Sequence, residues 1–421
     1  MSLKNRVYGL VLLLVAAFLP ALAFADSPRE GDRVAICGDS ITEQKDYSVL
    51  IENYLLMCQP AAQVRSVQFG WGGETSWGFL GRMANDVLWC KPDVATTCYG
   101  MNDGGYSPMT EEKATRYKNA QKGIVQTLKK AGVRMIIVGS PGVVDADTFR
   151  RSPEQAVMYN KTLAALRDIA KGVAQEEGVL FANVFDPMMD VMTKTKAKYG
   201  HDYNLAGGDG VHPARNGHLV MAYAFLKAMG CDGNIGTITV DLAADKAQAT
   251  PGHKILSCQG GAVEVESTRY PFCFFGDPAS PSSSRGVLEF LPFNEELNRF
   301  KLVVRGATAG RVKVTWGQAT KEFAAADLAK GINLAAEFLD NPFGAQFQKV
   351  EQAVRTQQNY ETTLHKVLLH ELPAYRSAAP DEGPALERVA KAVQARQKAL
   401  SDNAAATVVP VRHTIKVEVA Q

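Results

Sequence analysis

Val34-Ala35-Ile36-Cys37-Gly38-Asp39-Ser40-Ile41-Thr42 is the stretch that decides the fold. Four apolar residues in a row, closed by a glycine turn, are the signature of a strand buried on both faces. A helical pattern then runs through Leu56. The same strand-to-helix alternation recurs downstream. Gln63–Phe69, Asp93–Tyr99, Arg134–Gly139 and Val179–Val184 read as further strands. Glu111–Ala131 and Pro153–Glu177 read as helices between them, and Asn216–Met229 as a closing helix. Five such units with short loops predict an α/β fold, a doubly wound parallel sheet covered on both faces, over residues 26–232. Ligands in such sheets bind at the carboxyl ends of the strands.

The pattern changes after Gly230. Gly236–Leu242, Lys254–Ser257, Ala262–Glu266, Phe272–Phe275, Val287–Leu291, Phe300–Val304 and Val312–Trp316 read as short strands separated by turn residues. They predict a β-sandwich-like accessory module over residues 233–342. Residues 343–421 read as a helical tail, with helices over Phe343–Leu372 and Ala385–Leu400. The alternating Val408–Val419 reads as a strand returning to the β module. The amphipathic Phe343–Leu372 helix, with Phe343, Phe347, Val350 and Val354, is expected to pack on that module.

The N-terminus reads as a targeting segment. Lys4 and Arg6 precede an apolar run from Val7 to Leu19, Pro20 breaks it, and Ala23-Phe24-Ala25 offers small residues for a peptidase. This is the pattern of a secretory signal peptide over residues 1–25, too short for a span of ~20 residues. The expectation is an exported chain, periplasmic or extracellular, with no stable membrane insertion after cleavage. The 46 basic and 44 acidic residues become equal once Lys4 and Arg6 are removed. A neutral chain lacks the electrostatic footprint of a nucleic-acid binder.

Seven cysteines in an oxidising compartment leave disulfides open. Cys37 and Cys98 read as buried thiols, whereas Cys58 with Cys90, and Cys258 with Cys273, are candidate pairs. No Cys or His spacing fits a metal site.

Four short blocks carry chemistry, each behind an expected strand: Gly38-Asp39-Ser40-Ile41-Thr42, Gly70-Trp71-Gly72-Gly73-Glu74-Thr75-Ser76, Gly100-Met101-Asn102-Asp103 and Asp209-Gly210-Val211-His212-Pro213. All four strand ends lie on one rim of a parallel sheet, so the blocks converge although far apart in sequence. Acyl transfer to water needs a nucleophile, a base, a carboxylate to orient the base, and oxyanion donors. Ser40 supplies the hydroxyl, His212 the base and Asp209 the orienting carboxylate. The backbone N–H groups of Ser40 and Gly73 and the Asn102 amide supply the oxyanion hole. Trp71 and Trp77 are either a sugar-stacking wall or core, His218 is expected to be structural, and Asp145 and Asp147 line the cleft rim or a solvated loop.

These blocks resemble the SGNH hydrolases, the GDSL esterase/lipase family, whose four named residues match Ser40, Gly73, Asn102 and His212. The family's aspartate, three residues before the histidine, matches Asp209. The resemblance covers residues 33–231. It departs at Ile41, where the family name has Leu, and at Glu74, where the family has Asp; the adjacent Gly72 leaves open which glycine donates. It implies a flavodoxin-like three-layer α/β/α domain and a serine esterase that needs no cofactor and no metal. The expected substrate is a small-molecule or polysaccharide ester, with carbohydrate deacetylation first. A lipase or thioesterase, a glycan O-acyltransferase and a catalytically silent carbohydrate-binding protein are the alternatives. Residues 233–421 are expected to bind polymer or shape the cleft without joining the chemistry, with His253, His365, His370 and His413 in unrelated contexts.

Overall fold

A computed structural model of the chain describes residues 27–59 and 63–419. The expected signal peptide lies outside the described residues. The first sheet has β1 (Arg33–Gly38), β2 (Arg65–Gly70), β3 (Val94–Cys98), β4 (Met135–Gly139) and β5 (Leu180–Ala182). All pairings are parallel, in the order β2-β1-β3-β4-β5. The chain builds outward from β1 to β2, then returns to β3 on the other side. The carboxyl ends of β1 and β3 are therefore the point where the winding direction switches, where a crevice forms in doubly wound sheets.

The helices are α1 (Ser40–Glu43), α2 (Tyr47–Met57), α3 (Ser76–Asp86), α4 (Glu111–Lys130), α5 (Pro153–Glu176), α6 (Phe185–Tyr199) and α7 (Arg215–Ala228). Their starts are written in the sequence. Thr75, Thr110 and Ser152 each accept a backbone N–H three residues on, capping α3, α4 and α5. β1 to β4 are buried along nearly their whole length, whereas in β5 only Ala182 is buried.

Beyond α7 lie two further sheets. β6 (Asn234–Asp241), β7 (Lys246–Ala249), β10 (Arg299–Arg305) and β13 (Ile332–Asn333) form one, in the order β13-β10-β6-β7. β8 (His253–Gln259), β9 (Ala262–Ser267), β11 (Arg311–Trp316), β12 (Ala319–Ala324) and β14 (Val411–Val419) form the other, in the order β12-β11-β14-β9-β8. Strand β14, from the C-terminus, lies between β9 and β11. β6 and β10 pair in parallel, because the chain turns back from β6 into β7 and passes through β8 and β9 of the second sheet before it returns as β10. Phe300 packs against Trp316 and His413 between the sheets.

Phe272–Phe275 and Val287–Leu291 are not strands. Phe272 and Phe274 are buried against Phe293, so the alternation in the sequence reports burial without a ladder. Side chains satisfy the backbone instead: Asn298 accepts the Phe272 N–H and donates to its carbonyl, and Ser284 Oγ accepts the Phe275 N–H.

None of the seven cysteines is paired, and all but Cys258 are buried. His253 and His413, expected in unrelated contexts, share one buried chain of hydrogen bonds. Trp316 Nε1–H donates to His413 Nδ1 (3.1 Å), which fixes its proton on Nε2, 3.0 Å from Ser267 Oγ. Ser267 donates to His253 Nδ1 (2.8 Å), and His253 Nε2–H donates to the Ile235 carbonyl (3.0 Å). Burial holds His413 down near 3, so the chain is neutral and ties the two sheets together.

The long C-terminal helix Gly344–Thr363 corrects another expectation. Only its start, Phe343 and Phe347, packs on the β module, against Trp316 and Phe272. The remainder lies along β2, the edge strand of the first sheet. Gln357 Nε2 donates to the Ser66 carbonyl (2.9 Å), Glu361 accepts the Gln68 N–H (2.9 Å), and His365 Nε2 reaches the Gly70 carbonyl (3.3 Å). Four helical residues rise about 6 Å and two strand residues about 6.6 Å, so side chains at i, i+4 and i+8 keep step with alternate strand residues. A helix thereby replaces the missing neighbour of an edge strand.

Candidate active site

Ser40 stands at the first position of α1, immediately after β1. The turn is tight because Asp39 Oδ1 accepts the Ile41 N–H (3.0 Å). Burial pushes Asp39 up to about 7, partly offset by that same N–H. Ser40 Oγ lies 2.8 Å from His212 Nε2, and His212 Nδ1 lies 2.7 Å from Asp209 Oδ2. The second Asp209 oxygen accepts the Val211 and His212 N–H groups, each at 2.9 Å. Burial raises the Asp209 carboxyl, but the His212 backbone, the His212 ring and the Val211 backbone together hold it below its ordinary value. An ionised Asp209 keeps the His212 proton on Nδ1 and leaves Nε2 free to accept from Ser40.

The block carrying Asp209 and His212 follows no strand end directly. The loop after β4 holds it: Asp145 N–H donates to the Gly210 carbonyl (3.0 Å) and Thr148 Oγ1 to the Gly207 carbonyl (2.9 Å). Asp145 is 1% exposed and pairs with Lys196, as does Asp147. The two aspartates therefore buttress the loop.

Gly73 has φ of +73°, a conformation that favours glycine. Trp71 N–H donates to the Gly38 carbonyl (3.0 Å), tying the second block to the first. The Gly72 N–H is taken by Glu43 Oε2, while neither the Ser40 nor the Gly73 N–H has an acceptor among the described residues. The geometry thus separates the two glycines: Gly73 is the one free to donate. Asn102 Nδ2 donates one proton to the Glu74 carbonyl (3.0 Å), which orients the amide and leaves its second proton. Asp103 accepts the Ser76 N–H (3.0 Å), joining the second and third blocks again.

Glu74 occupies the position of the family's aspartate, and it has a partner to match. Arg82 grips both its oxygens, with Nη2 at 2.7 Å, and Tyr99 Oη donates to it at 2.9 Å. Burial raises the Glu74 carboxyl, and Arg82 and Tyr99 oppose that rise. Arg82 Nη2 also donates to the Phe69 carbonyl (2.9 Å), so a buried ion pair braces the loop from β2 to α3.

The outer residues divide. His218 is fully buried, accepts the Tyr47 N–H at Nδ1 and reaches Gln44 Oε1 from Nε2. Burial brings it down to about 4, so it is a neutral structural histidine. Trp71 has Arg82 and Lys366 over its ring, at 4.8 and 5.0 Å, and His370 against its edge. That ring is occupied by the protein. Trp77 is 53% exposed. Arg116 approaches its ring at 5.9 Å beside a cavity of about 440 Å³ lined by Thr75, Asn102, Lys113 and Arg116. Sequence reasoning missed Glu43, Lys366 and His365, which bring the C-terminal half to within one residue of the Gly73 loop. Residues of the 233–421 half thus lie beside the loop that carries Gly73, with Lys366 on Glu43 and over the Trp71 ring and His365 on the Gly70 carbonyl. No spacing rule links positions about 300 residues apart.

Among the described residues no cluster of His, Cys, Asp and Glu could hold a metal, and no helix is long and apolar enough to cross a membrane.

Residues 36–220 match the family model of the GDSL-like lipase/acylhydrolases. This segment is a GDSL-like lipase/acylhydrolase domain. It is the domain of a carboxylic ester hydrolase. Ser40, Gly73, Asn102 and His212 all fall within it. An acetylxylan esterase of Geobacillus stearothermophilus is 26% identical over 224 residues, covering 48% of this chain and 94% of the relative. A gut microbial diltiazem-metabolizing enzyme superposes with a TM-score of 0.70 at 23% identity, covering 94% of this chain and all of that one, so the two share a fold through the β module and tail. The structure of an acetylxylan esterase, Axe2 from Geobacillus stearothermophilus, aligns over 48% of this chain and 95% of its own, at 22% identity and a TM-score of 0.40. The family match ends within α7, and the longer structural relative covers the remaining half as well.

Proposed function

We propose that this GDSL-like hydrolase is an exported serine esterase that removes acetyl groups from carbohydrates. One observation carries the mechanism: the continuous chain from Ser40 Oγ through the His212 ring to Asp209, with links of 2.8 and 2.7 Å. Ser40 Oγ attacks the ester carbonyl as its proton passes to His212 Nε2, and Asp209 stabilises the imidazolium. The carbonyl oxygen becomes an oxyanion facing the N–H groups of Ser40 and Gly73 and the free Asn102 proton. Each such donor contributes about 3–4 kcal/mol to the transition state. The alcohol leaves with the proton from His212, giving an acetyl-Ser40 ester. Water then gives a proton to the same nitrogen, attacks the ester, and frees acetate and Ser40. α1 has only four residues, so the fixed N–H donors carry the charge rather than a helix dipole.

The acetyl-carbohydrate reading is supported by the acetylxylan esterase likeness and by the exposure of Trp77 beside the cavity, an aromatic of the kind sugars stack on. Export is supported by the N-terminal pattern of Lys4, Arg6 and the apolar run after them. The test is a screen of acetylated xylo-oligosaccharides against p-nitrophenyl esters of graded chain length, with product analysis. Free acetate from the sugars is the expected outcome. Transfer to a second sugar would favour the acyltransferase, and hydrolysis of long-chain esters alone would overturn the carbohydrate assignment.

A further inference from the structure

The oxyanion loop Trp71-Gly72-Gly73 is exposed at Gly72 and Gly73, and its own backbone gives it little hold. Trp71 N–H and Glu74 N–H are bonded, to the Gly38 and Trp71 carbonyls. The Gly72 N–H between them is held by a side chain, Glu43 Oε2. Glu43 is the last residue of α1, three after the nucleophile. Its other oxygen accepts from Lys366 Nζ at 2.7 Å, each side chain being 25% exposed. Lys366 also lies over the Trp71 ring, and the preceding His365 reaches the Gly70 carbonyl. The approach is close: a Cβ on Gly70 would sit 2.2 Å from the Glu43 N, and one on Gly72 2.9 Å from Glu43 Oε2.

We infer that Glu43, held by Lys366 of the C-terminal segment, is a positioning residue for the oxyanion hole. The inference rests on the esterase reading above. Gripping the Gly72 N–H fixes the Trp71–Gly72 peptide plane, and the Glu74 N–H on the Trp71 carbonyl holds the far end of the loop, so the plane between them, which carries the Gly73 N–H, is restricted in direction. Glu43 and Gly73 thereby connect the C-terminal segment to the transition state without either Glu43 or Lys366 touching substrate. A carboxylate suits the task because it accepts from the amide and the ammonium at once, one oxygen each, and charged acceptors make the stronger bonds. Lys366 neutralises it, which keeps a bare negative charge away from the developing oxyanion.

The test uses the full chain and p-nitrophenyl acetate, a substrate too small to need remote contacts. Glu43→Ala and Lys366→Met are expected to lower kcat about 10- to 100-fold, within the range for a misplaced oxyanion donor, with KM changed less than twofold. Glu43→Gln, which retains an acceptor for the Gly72 N–H, is expected to recover most of the loss, and Lys366→Arg to stay near the parent. Thermal unfolding monitored on each variant separates loop orientation from loss of fold. Phosphonylation of Ser40 by a fluorophosphonate should slow in parallel with kcat, since that reaction also places an oxygen in the hole. A rise in KM alone would make Glu43 a substrate contact and overturn the inference. Unchanged kcat in both variants would overturn it as well. If Ser40→Ala retains turnover or Ser40 resists the probe in the parent protein, the esterase mechanism itself fails. If Ser40→Ala and Asn102→Ala are impaired while Glu43→Ala is not, only the positioning role fails.

Discussion

His365 reaches the Gly70 carbonyl across 295 residues of chain, at 3.3 Å. The contact is the last rung of the helix-on-strand ladder, at the end of β2 where the loop that presents Gly73 begins. Burial holds His365 near 3, with Arg82 nearby adding to the effect, so it stays neutral and donates through Nε2. The hydrolase domain and the C-terminal helices are thus joined at the site's own rim.

Ser40→Ala is expected to abolish ester hydrolysis by several orders of magnitude in kcat while leaving circular dichroism unchanged, because only the oxygen bonded to His212 Nε2 is removed. Retained turnover in a preparation free of other esterases would refute the nucleophile.

Asn102→Ala is expected to cost on the order of 100- to 1000-fold in kcat with KM nearly constant. The side chain already bonded to the Glu74 carbonyl has one proton to offer, and that proton matters in the transition state. Steady-state kinetics that show only a weaker KM would recast Asn102 as a ground-state contact.

Arg82→Met removes one partner of a buried pair and leaves the Glu74 carboxyl facing Tyr99 alone. A loss of about 3–5 kcal/mol in urea unfolding is expected, the cost of stranding a buried charge. Glu74→Gln with Arg82→Met should recover part of it. A single variant as stable as the parent would show that the pair braces nothing.

Stability should fall as pH rises through the neutral range. Burial, reinforced by the neighbouring Glu52, pushes the Glu361 carboxyl from 4.5 up to about 8. The native state keeps this proton after the unfolded chain has released it. The contribution is therefore complete below about pH 4.5 and is lost as pH climbs toward 8. Melting temperatures of the parent and Glu361→Gln between pH 5 and 8.5 provide the check, with a shallower decline expected in the variant. Parallel curves would mean that Glu361 titrates alike in both states.

The parallel sheet and its helices were legible because burial on both faces writes continuous apolar runs such as Val34–Cys37, and because Thr75, Thr110 and Ser152 mark helix starts. The proposed site was legible for a similar reason: short blocks at strand ends must converge on one rim. Phe272–Phe275 misled because its alternation is that of side chains entering an aromatic cluster, with Asn298 and Ser284 in place of a partner strand. The face formed by Gln357, Gln358 and Glu361 gave no signal at all. A polar stripe reads as solvated surface, yet these three are fully buried, because Gln357 and Glu361 complete a strand edge and Gln358 bonds Ser48 and Glu52 of α2.

The helix along β2 has a bearing on how copies of this protein meet. Ser66, Gln68 and Gly70 would otherwise present free carbonyls and an N–H along a sheet margin, the kind of template on which a second chain adds its own strand. Gln357, Glu361 and His365 occupy those groups with side chains that cannot propagate a ladder, so sheet growth from one molecule to the next is terminated from within. A chain cut after Cys231 would carry the same sheet with that margin bare, and would recruit its own copies as concentration rises.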